Sequence, residues 1–185
     1  MTTYYHGSDK LFDRFDLAHA LEGTSRAKFG YGVYVTSSYR SAAHYACSNP
    51  TAQQYYVYTV EVPEKTEDNC IGYKQPVHPS IVKRAEAKLG ITIPEEATLL
   101  GKDFRGFLSK QLTGTDDLAG KIAASKFLTD IGVEFMEWPF LWKYPERGSN
   151  LAVFDDTKVK MVRIDEVELK NKQLVEGSQR LVKAF

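Results

Sequence analysis

The chain has 185 residues, of which 43% are hydrophobic and 26% are charged. This composition is typical of a globular protein and excludes a disordered one. The length predicts a single domain over residues 1–185 with a sizeable core. The 24 Lys and Arg residues are balanced by 24 Asp and Glu residues, which argues against a protein that coats nucleic acid through its total charge, although a local basic groove stays open.

The sequence also predicts where in the cell the protein is located and whether it binds a metal. No apolar run approaches the roughly 20 residues that span a bilayer, and the opening residues do not resemble a signal peptide. Cys47 and Cys70 are too few and too scattered for a disulfide framework or a zinc site. We therefore expect a cytoplasmic protein that holds no metal and has no membrane partner.

The beginning of the chain predicts two strands separated by an irregular segment. Tyr4–His6 is a short aromatic strand, and Gly7-Ser8 indicates a turn after it. Residues 9–28 are mixed and polar, which indicates a loop or a short helix. Phe29–Thr36 starts with glycines and continues with aromatic and β-branched residues, so it predicts a loop that leads into a strand.

A helix and a long strand are predicted next. Ser37 or Ser38 can cap a helix from Tyr39 to about Cys47, and Pro50 prevents its continuation. Tyr55–Val62 is the clearest strand in the sequence, with side chains that alternate between two faces.

The rest of the chain predicts helices followed by strands, and hence an α+β fold class. Gly90 is a good C-terminal cap and predicts the end of a helix over Pro79–Leu89. Apolar residues at helical spacing predict helices over Asp103–Leu112 and Asp116–Ile131. Strands are predicted over Val133–Trp138, Leu151–Phe154 and Val159–Ile164. Asp165 and Glu168 form a plausible capping box, which predicts a C-terminal helix over about residues 165–185.

Two local groups suit the binding of a flat ligand. In Tyr5–Ser8, His6 can offer a ring nitrogen to a hydroxyl, and Gly7 leaves the backbone open to a ligand. His6 would otherwise be a histidine at the rim of the core. Tyr34 on its strand and Tyr45 on the next helix could stack on an aromatic heterocycle, or both could be ordinary core residues.

A third group places a polar residue at the start of an apolar strand. Asn150, in Gly148–Asp155, could bind a ligand hydroxyl or could simply be a turn residue. Glu134, Glu137 and Glu146 are close enough in sequence to supply a carboxylate.

These groups, in this order, resemble the ADP-ribosyltransferase superfamily, specifically its diphtheria-toxin and poly(ADP-ribose) polymerase branch. The family's His-Gly-Thr/Ser is matched by His6-Gly7-Ser8, and its Phe-Gly-x-Gly-Ile-Tyr-Phe by Phe29–Val35. Its Ala-x-Tyr on the following helix is matched by Ala43-His44-Tyr45, and its late Glu-Tyr-Ile-Val-Tyr-Asp strand by Asn150–Asp155. The pattern covers about residues 4–164 and is similar to short prokaryotic and phage-encoded members.

The chain departs from the family pattern at two positions. Asn150 stands where the family often has a catalytic Glu. Ala42 stands where a Ser is common, although Ser41 is adjacent. An amide can accept a hydrogen bond from a ribose hydroxyl, but it adds no negative charge and cannot act as a base. This departure favours transfer of a single unit, or no transfer, over chain elongation.

The resemblance implies a split antiparallel β-sandwich with a helical middle segment and a cleft in which NAD+ lies extended. The segment His6-Gly7-Ser8 would bind NAD+, with His6 on the adenosine ribose and the backbone of Gly7 on the nicotinamide amide. Tyr34 and Tyr45 would stack on the nicotinamide. The catalytic residues implied are His6, Tyr34 and Asn150.

The function implied is a mono-ADP-ribosyltransferase that moves ADP-ribose from NAD+ to a macromolecular acceptor, either protein, RNA or DNA. A catalytically silent module that binds NAD+ or ADP-ribose is the alternative, because Asn150 replaces the usual carboxylate. RNA 2′-phosphotransfer, a related chemistry, is disfavoured by the neutral charge and the missing Arg motif. By analogy, the protein would be a toxin, a defence factor or a phage effector, and an antitoxin partner is plausible.

Overall fold

The computed structural model describes residues 1–19, 27–49 and 51–185. Within them the strands are β1 Thr2–Ser8, β2 Val33–Thr36, β3 Tyr55–Val62, β4 Cys70–Gly72, β5 Phe135–Pro139, β6 Ser149–Val153, β7 Lys160–Val167, β8 Leu169–Lys170, β9 Gln173–Leu174 and β10 Arg180–Ala184. The α-helices are α1 Tyr39–Ala46, α2 Pro79–Leu89, α3 Gly101–Thr113 and α4 Leu118–Asp130. The predicted stop at Pro50 and part of the 9–28 segment lie outside the described residues.

Most strands belong to one sheet in the order β10-β7-β3-β1-β2-β6-β5-β4. Neighbours run antiparallel except β4 and β5, which are parallel. This mixture of helices with a large, mostly antiparallel sheet confirms the α+β class. The sheet is weakly joined in the middle: β1 pairs with β3 along its whole length but with β2 only through Tyr5 and Thr36.

The two faces of the sheet are covered differently. One face buries a cluster with residues from both sides of the weak joint, including Tyr4, Tyr58, Val35 and Leu151. No helix among the described residues contributes a buried side chain to this cluster. On the opposite face, α1 covers β1 and β3, whereas α2, α3 and α4 pack on the β5 and β6 side.

The contact between α1 and β1 requires a residue without a side chain at position 7, which is Gly7. A Cβ on Gly7 would lie 1.7 Å from the carbonyl oxygen of Ala42 and 2.8 Å from the backbone nitrogen of Ala46. The helix backbone therefore occupies the space that any other residue would need. The side of Gly7 that the sequence suggested for a ligand is taken by α1, which leaves the strand edge as its open part.

Several predicted boundaries are confirmed. The β3 strand and the α2 helix have the predicted ends, and α2 is followed by Gly90 with φ of 69°. Ser38 caps α1 by accepting a hydrogen bond from the Ser41 N–H. The three-residue strand β4 was not predicted, because its parallel pairing with β5 joins segments more than 60 residues apart, and local sequence carries no signal for such a pair.

The predicted C-terminal helix is wrong. Asp165 does not cap a helix, because it lies in β7 and accepts hydrogen bonds from the Tyr39 hydroxyl at 3.1 Å and from Arg163 Nε at 2.7 Å. Asn171 and Lys172 have φ of 52° and 62° and form the two-residue turn between β8 and β9. Positive φ at both central positions is the turn geometry that favours a hairpin. β10 then pairs with β7 at the sheet edge.

We expect Gly7→Ala to destabilise the fold, because its methyl group would collide with backbone atoms that cannot rotate away. A loss of about 3 kcal/mol, or roughly 10 °C in Tm, follows from the usual cost of overpacking. Thermal unfolding measures it. Gly106→Ala in α3 is the matched control: its Cβ would come no nearer than 3.5 Å to another residue, and Ala in a helix interior should raise stability by up to about 1 kcal/mol. Equal Tm changes in the two variants would contradict this packing.

Candidate functional site

The candidate site lies where β1 and β2 separate. Beyond the Tyr5–Thr36 pair, the edge of His6–Ser8 that faces away from β3 has no partner among the described strands. The ring of His6 bridges the opening, since its Nδ1 lies 2.7 Å from the carbonyl oxygen of Tyr34. The opening therefore offers unpaired backbone of β1 beside a fixed imidazole.

The environment of His6 determines its protonation. Its ring lies edge-on to Phe15 at 5.2 Å between centroids, and it also packs near Phe12 and Tyr58. Burial lowers the pKa of His6, and the hydrogen bond to Tyr34 only partly offsets that effect. The imidazole is therefore neutral near pH 7. Because Nδ1 faces a carbonyl it must carry the proton, which leaves the Nε2 lone pair as an acceptor.

Asn150 lies in a row of three residues that crosses β2, β6 and β5. Thr36 is its register partner on one side and Trp138 on the other, so all three side chains share one face. Asn150 is only 3% exposed, and its Oδ1 is buried without a hydrogen-bond partner among the described residues. A buried acceptor of this kind costs about 1–3 kcal/mol, which a donor bound next to it would partly recover.

Tyr34 lies on the same face as Asn150, one register row away, opposite Ala152. Its ring is 5.4 Å from that of Trp138, which itself stacks on Phe29 at 3.8 Å. The Tyr34 hydroxyl donates to the carbonyl of Gly30 at 2.9 Å and accepts from the Phe29 N–H at 3.1 Å. Tyr34 therefore shapes the site with its ring and fixes the preceding loop with its hydroxyl.

The helical middle segment fixes the same loop from the other side. Arg105 in α3 donates through Nη1 to the carbonyl of Lys28 at 2.5 Å and to that of Ala27 at 3.4 Å. Ser125 in α4 accepts from the Tyr31 N–H at 2.9 Å. Sequence analysis missed both residues, because a buried Arg and a helical Ser carry no local pattern that distinguishes them from surface residues.

Tyr45 differs from Tyr34 in exposure. It lies on α1, is 51% exposed, and has its ring 5.8 Å from that of His44. Burial of its hydroxyl raises the pKa of Tyr45, so the phenol is neutral at pH 7. A half-exposed ring on this helix is not a core tyrosine.

Ser8, the last residue of β1, accepts a hydrogen bond from the Lys10 N–H at 3.0 Å.

The predicted residues do not all face the same way. Strand alternation puts the side chain of His6 on the face of Tyr58, whereas Asn150 and Tyr34 occupy the opposite face. A single ligand that contacts both side chains would therefore have to be elongated.

None of the nearby candidate carboxylates joins Asn150. Glu137 is opposite Leu151, which puts it on the other face, and it pairs with Lys65. Glu134 accepts a hydrogen bond from Asn69, and Glu146 is exposed in the loop after β5. The row around Asn150 therefore contains a neutral amide and no carboxylate.

Other chemistries find little support in the described part of the chain. It contains no group of three or more His, Cys, Asp or Glu side chains that could hold a metal. Burial raises the pKa of Cys70 to about 12, so this thiol is not a nucleophile at neutral pH. No described helix is long and apolar enough to cross a membrane.

Comparison with known proteins gives no assignment for this site. No family model, curated protein or solved structure matches the chain.

We expect the stability of the protein to fall as the pH decreases through about 6.5. Unfolded His6 binds a proton near that pH, whereas folded His6 binds it only at lower pH, so acid favours the unfolded state. In His6→Asn, an amide can still donate to the Tyr34 carbonyl but does not titrate. Urea unfolding from pH 5 to 7.5 should give a flatter profile for the variant. Parallel profiles would show that His6 is not the group responsible, since the other histidines are common to both proteins.

Proposed function

We propose that the protein is a mono-ADP-ribosyltransferase that uses NAD+ as its co-substrate and modifies a macromolecule. The observation that carries the proposal is the buried Oδ1 of Asn150, which has no hydrogen-bond partner among the described residues. Asn150 shares a face with Tyr34 and lies opposite Thr36, which pairs with Tyr5 where β1 and β2 meet. This is the position at which the motif resemblance expects the side chain that contacts the reacting ribose. An elongated dinucleotide suits an opening whose polar groups lie on two faces.

The division of the sheet supports the finer fold assignment. One buried cluster is shared by both sides of the weak joint and takes no buried side chain from a described helix. This fits two half-sheets that cover each other, together with Phe12, Phe15 and Leu17, which pack against the same cluster. A sheet that is split between β1 and β2 and folded over such a core corresponds to the split sandwich that the resemblance implies. The joint would then open into the cleft for NAD+.

The residues present suit the parts of NAD+. His6 Nε2 would accept a hydrogen bond from a hydroxyl of the adenosine ribose. The open strand edge at Gly7 and Ser8 would bind the nicotinamide amide through backbone groups, as strand edges bind extended ligands. Tyr34 and Tyr45 would contact the nicotinamide ring, one from the sheet and one from α1.

The reaction breaks the bond between C1′ of the ribose and the nicotinamide nitrogen. The electron pair goes to the nicotinamide ring, which leaves as a neutral molecule, and an acceptor oxygen or nitrogen forms a bond to C1′ and gives up its proton to solvent. Positive charge develops on the ribose in between, so the enzyme accelerates the step by stabilising that charge and orienting the leaving group. Asn150 Oδ1 would accept a hydrogen bond from the 2′-hydroxyl of this ribose.

One observation favours a second candidate, a module that binds NAD+ or ADP-ribose without turnover. The row around Asn150 contains an amide where a carboxylate would stabilise the cation better. Release of free nicotinamide from NAD+ by the purified protein distinguishes the two functions. Release supports the enzyme, whereas NAD+ binding without release supports the module.

Asn150→Ala should reduce nicotinamide release at least tenfold, which corresponds to about 1.4 kcal/mol of transition-state stabilisation. NAD+ affinity should change less, because the contact matters most as charge develops. Stability should change little, since removal of an unpaired buried acceptor offsets part of the cost of the cavity that the smaller side chain leaves. Nicotinamide release, NAD+ calorimetry and thermal unfolding measure the three quantities.

Asn69→Ala is the matched control, because the Asn69 amide is satisfied by Glu64 and Glu134. It should lower stability and leave nicotinamide release unchanged. If Asn150→Ala instead behaves like Asn69→Ala, Asn150 is a structural residue and the proposal fails.

Tyr45→Ala should lower NAD+ affinity about tenfold while Tyr45→Phe retains it, because the ring face supplies the contact. The half-exposed position of Tyr45 means that neither change should move Tm by more than a few degrees. Calorimetry with NAD+ measures the affinities. Folded Ala and Phe variants with equal affinity would rule out stacking on this ring.

A further inference from the structure

The loop that joins β5 to β6 carries exposed aromatic rings. We refer to residues 140–148 as the aromatic loop. Trp142 and Tyr144 are 47% and 38% exposed, and the loop is closed at its base by a hydrogen bond of 2.8 Å from the Phe140 N–H to the Gly148 carbonyl. The rings are therefore presented to solvent on a closed backbone frame.

Cations lie directly against these rings. Lys74 Nζ is 4.2 Å from the centroid of Trp142, and the Arg147 guanidinium is 4.5 Å from that of Tyr144. Lys143 Nζ is 5.4 Å from Tyr144. None of these three cations forms an ion pair with a carboxylate in the part of the chain that the structure describes. The loop also contains one exposed carboxylate, Glu146, so Lys74, Lys143 and Arg147 leave this surface net positive although the whole chain is neutral.

The aromatic loop lies beside the candidate site. Its two ends continue directly from the pairs Pro139–Ser149 and Trp138–Asn150. A molecule held on the loop is therefore close to the position at which Asn150 would contact the ribose.

We propose that the aromatic loop binds single-stranded nucleic acid and presents it as the acceptor of ADP-ribose. Trp142 and Tyr144 stack on bases, while Lys74, Lys143 and Arg147 neutralise phosphates. Aromatic rings interleaved with cations are the arrangement that binds single strands without strict sequence preference. The role of the strand as acceptor rests on the proposed function, whereas its binding does not.

The neutral amide of Asn150 is consistent with a polyanionic partner. A carboxylate at this position would repel a phosphodiester that approaches the reacting carbon, and an amide does not. The sequence departure and the basic aromatic loop therefore have one electrostatic explanation.

A single strand fits this surface better than a bilayer or a protein does. Hydrocarbon would desolvate the cations that lie on the ring faces, at a cost of several kcal/mol each. A protein partner would need carboxylates at matching places, whereas every nucleotide supplies a phosphate together with a base. Vesicle and protein binding are therefore treated as competing outcomes of the test.

The test measures binding of the full chain to fluorescent 12-nucleotide RNA and DNA strands by anisotropy, without NAD+. Trp142→Ala should weaken binding roughly 5- to 150-fold, the range for the loss of one stacked base, and Trp142→Phe should restore most of it. The control is Phe185→Ala. Phe185 is also exposed and has Lys183 over its ring at 4.4 Å, but that lysine is paired with Asp13, so this change should leave binding intact.

The salt dependence tests the cations separately. Each neutralised phosphate contributes about −0.7 to the slope of log K against log salt concentration for single strands. Lys74→Gln and Arg147→Gln should each make the slope shallower by about this amount. A nonspecific surface would instead spread the effect evenly over distant lysines such as Lys121.

Three results overturn the inference. The first is no binding of either strand at low salt, and the second is equal binding by wild type and Trp142→Ala. The third is that the loop binds anionic vesicles, or a second copy of the chain, and does not bind strands. Failure of the proposed function is seen independently, as absence of nicotinamide release from NAD+. If strands bind and nicotinamide is released, transfer to the strand is measured with labelled NAD+, and strand binding without transfer rejects the acceptor role.

Discussion

The hydrogen bond between His6 Nδ1 and the Tyr34 carbonyl is the constraint on which the candidate site depends. Beside it, the two halves of the sheet share only the Tyr5–Thr36 pair. The Tyr5–Thr36 pair and this hydrogen bond join the two strands, and the edge of His6–Ser8 has no further partner among the described strands. Because the ring must stay neutral to fit its buried surroundings, the same residue also links the opening to pH.

The residues around the opening contribute less to folding than their burial suggests. Among the described residues Asn150 Oδ1 has no hydrogen-bond partner, so this part of the core lacks hydrogen-bond energy that a bound donor could supply. The surrounding packing supplies the stability that such a site needs. Tyr34, Arg105 and Ser125 fix the adjoining loop from two directions, and α1 sits directly on the backbone at Gly7.

The distribution of charged side chains is the second feature of the site. The total charge is zero, and many of the surface cations are held by carboxylates, as Lys65, Lys88 and Arg163 are. Those on the aromatic loop are not. Under the proposed function, a neutral amide at Asn150 and an excess of cations over the one loop carboxylate, Glu146, would attract phosphates without repelling them at the reacting carbon. The proposal thus explains both the nucleic-acid acceptor and the amide at Asn150 by the same electrostatic argument.

The sequence by itself determined several of the local elements, and its motifs selected His6 and Asn150 as candidate residues. The alternation in Tyr55–Val62, the cap at Ser38 and the stop at Gly90 act over a few residues, so their ends could be predicted. Only tertiary structure decided that the last residues form strands, because β7 offers an edge that a local capping pattern cannot reveal. It also decided that Arg105 and Trp138 belong to the site, and that His6 and Asn150 face opposite sides, because pairing and register join residues far apart in the chain.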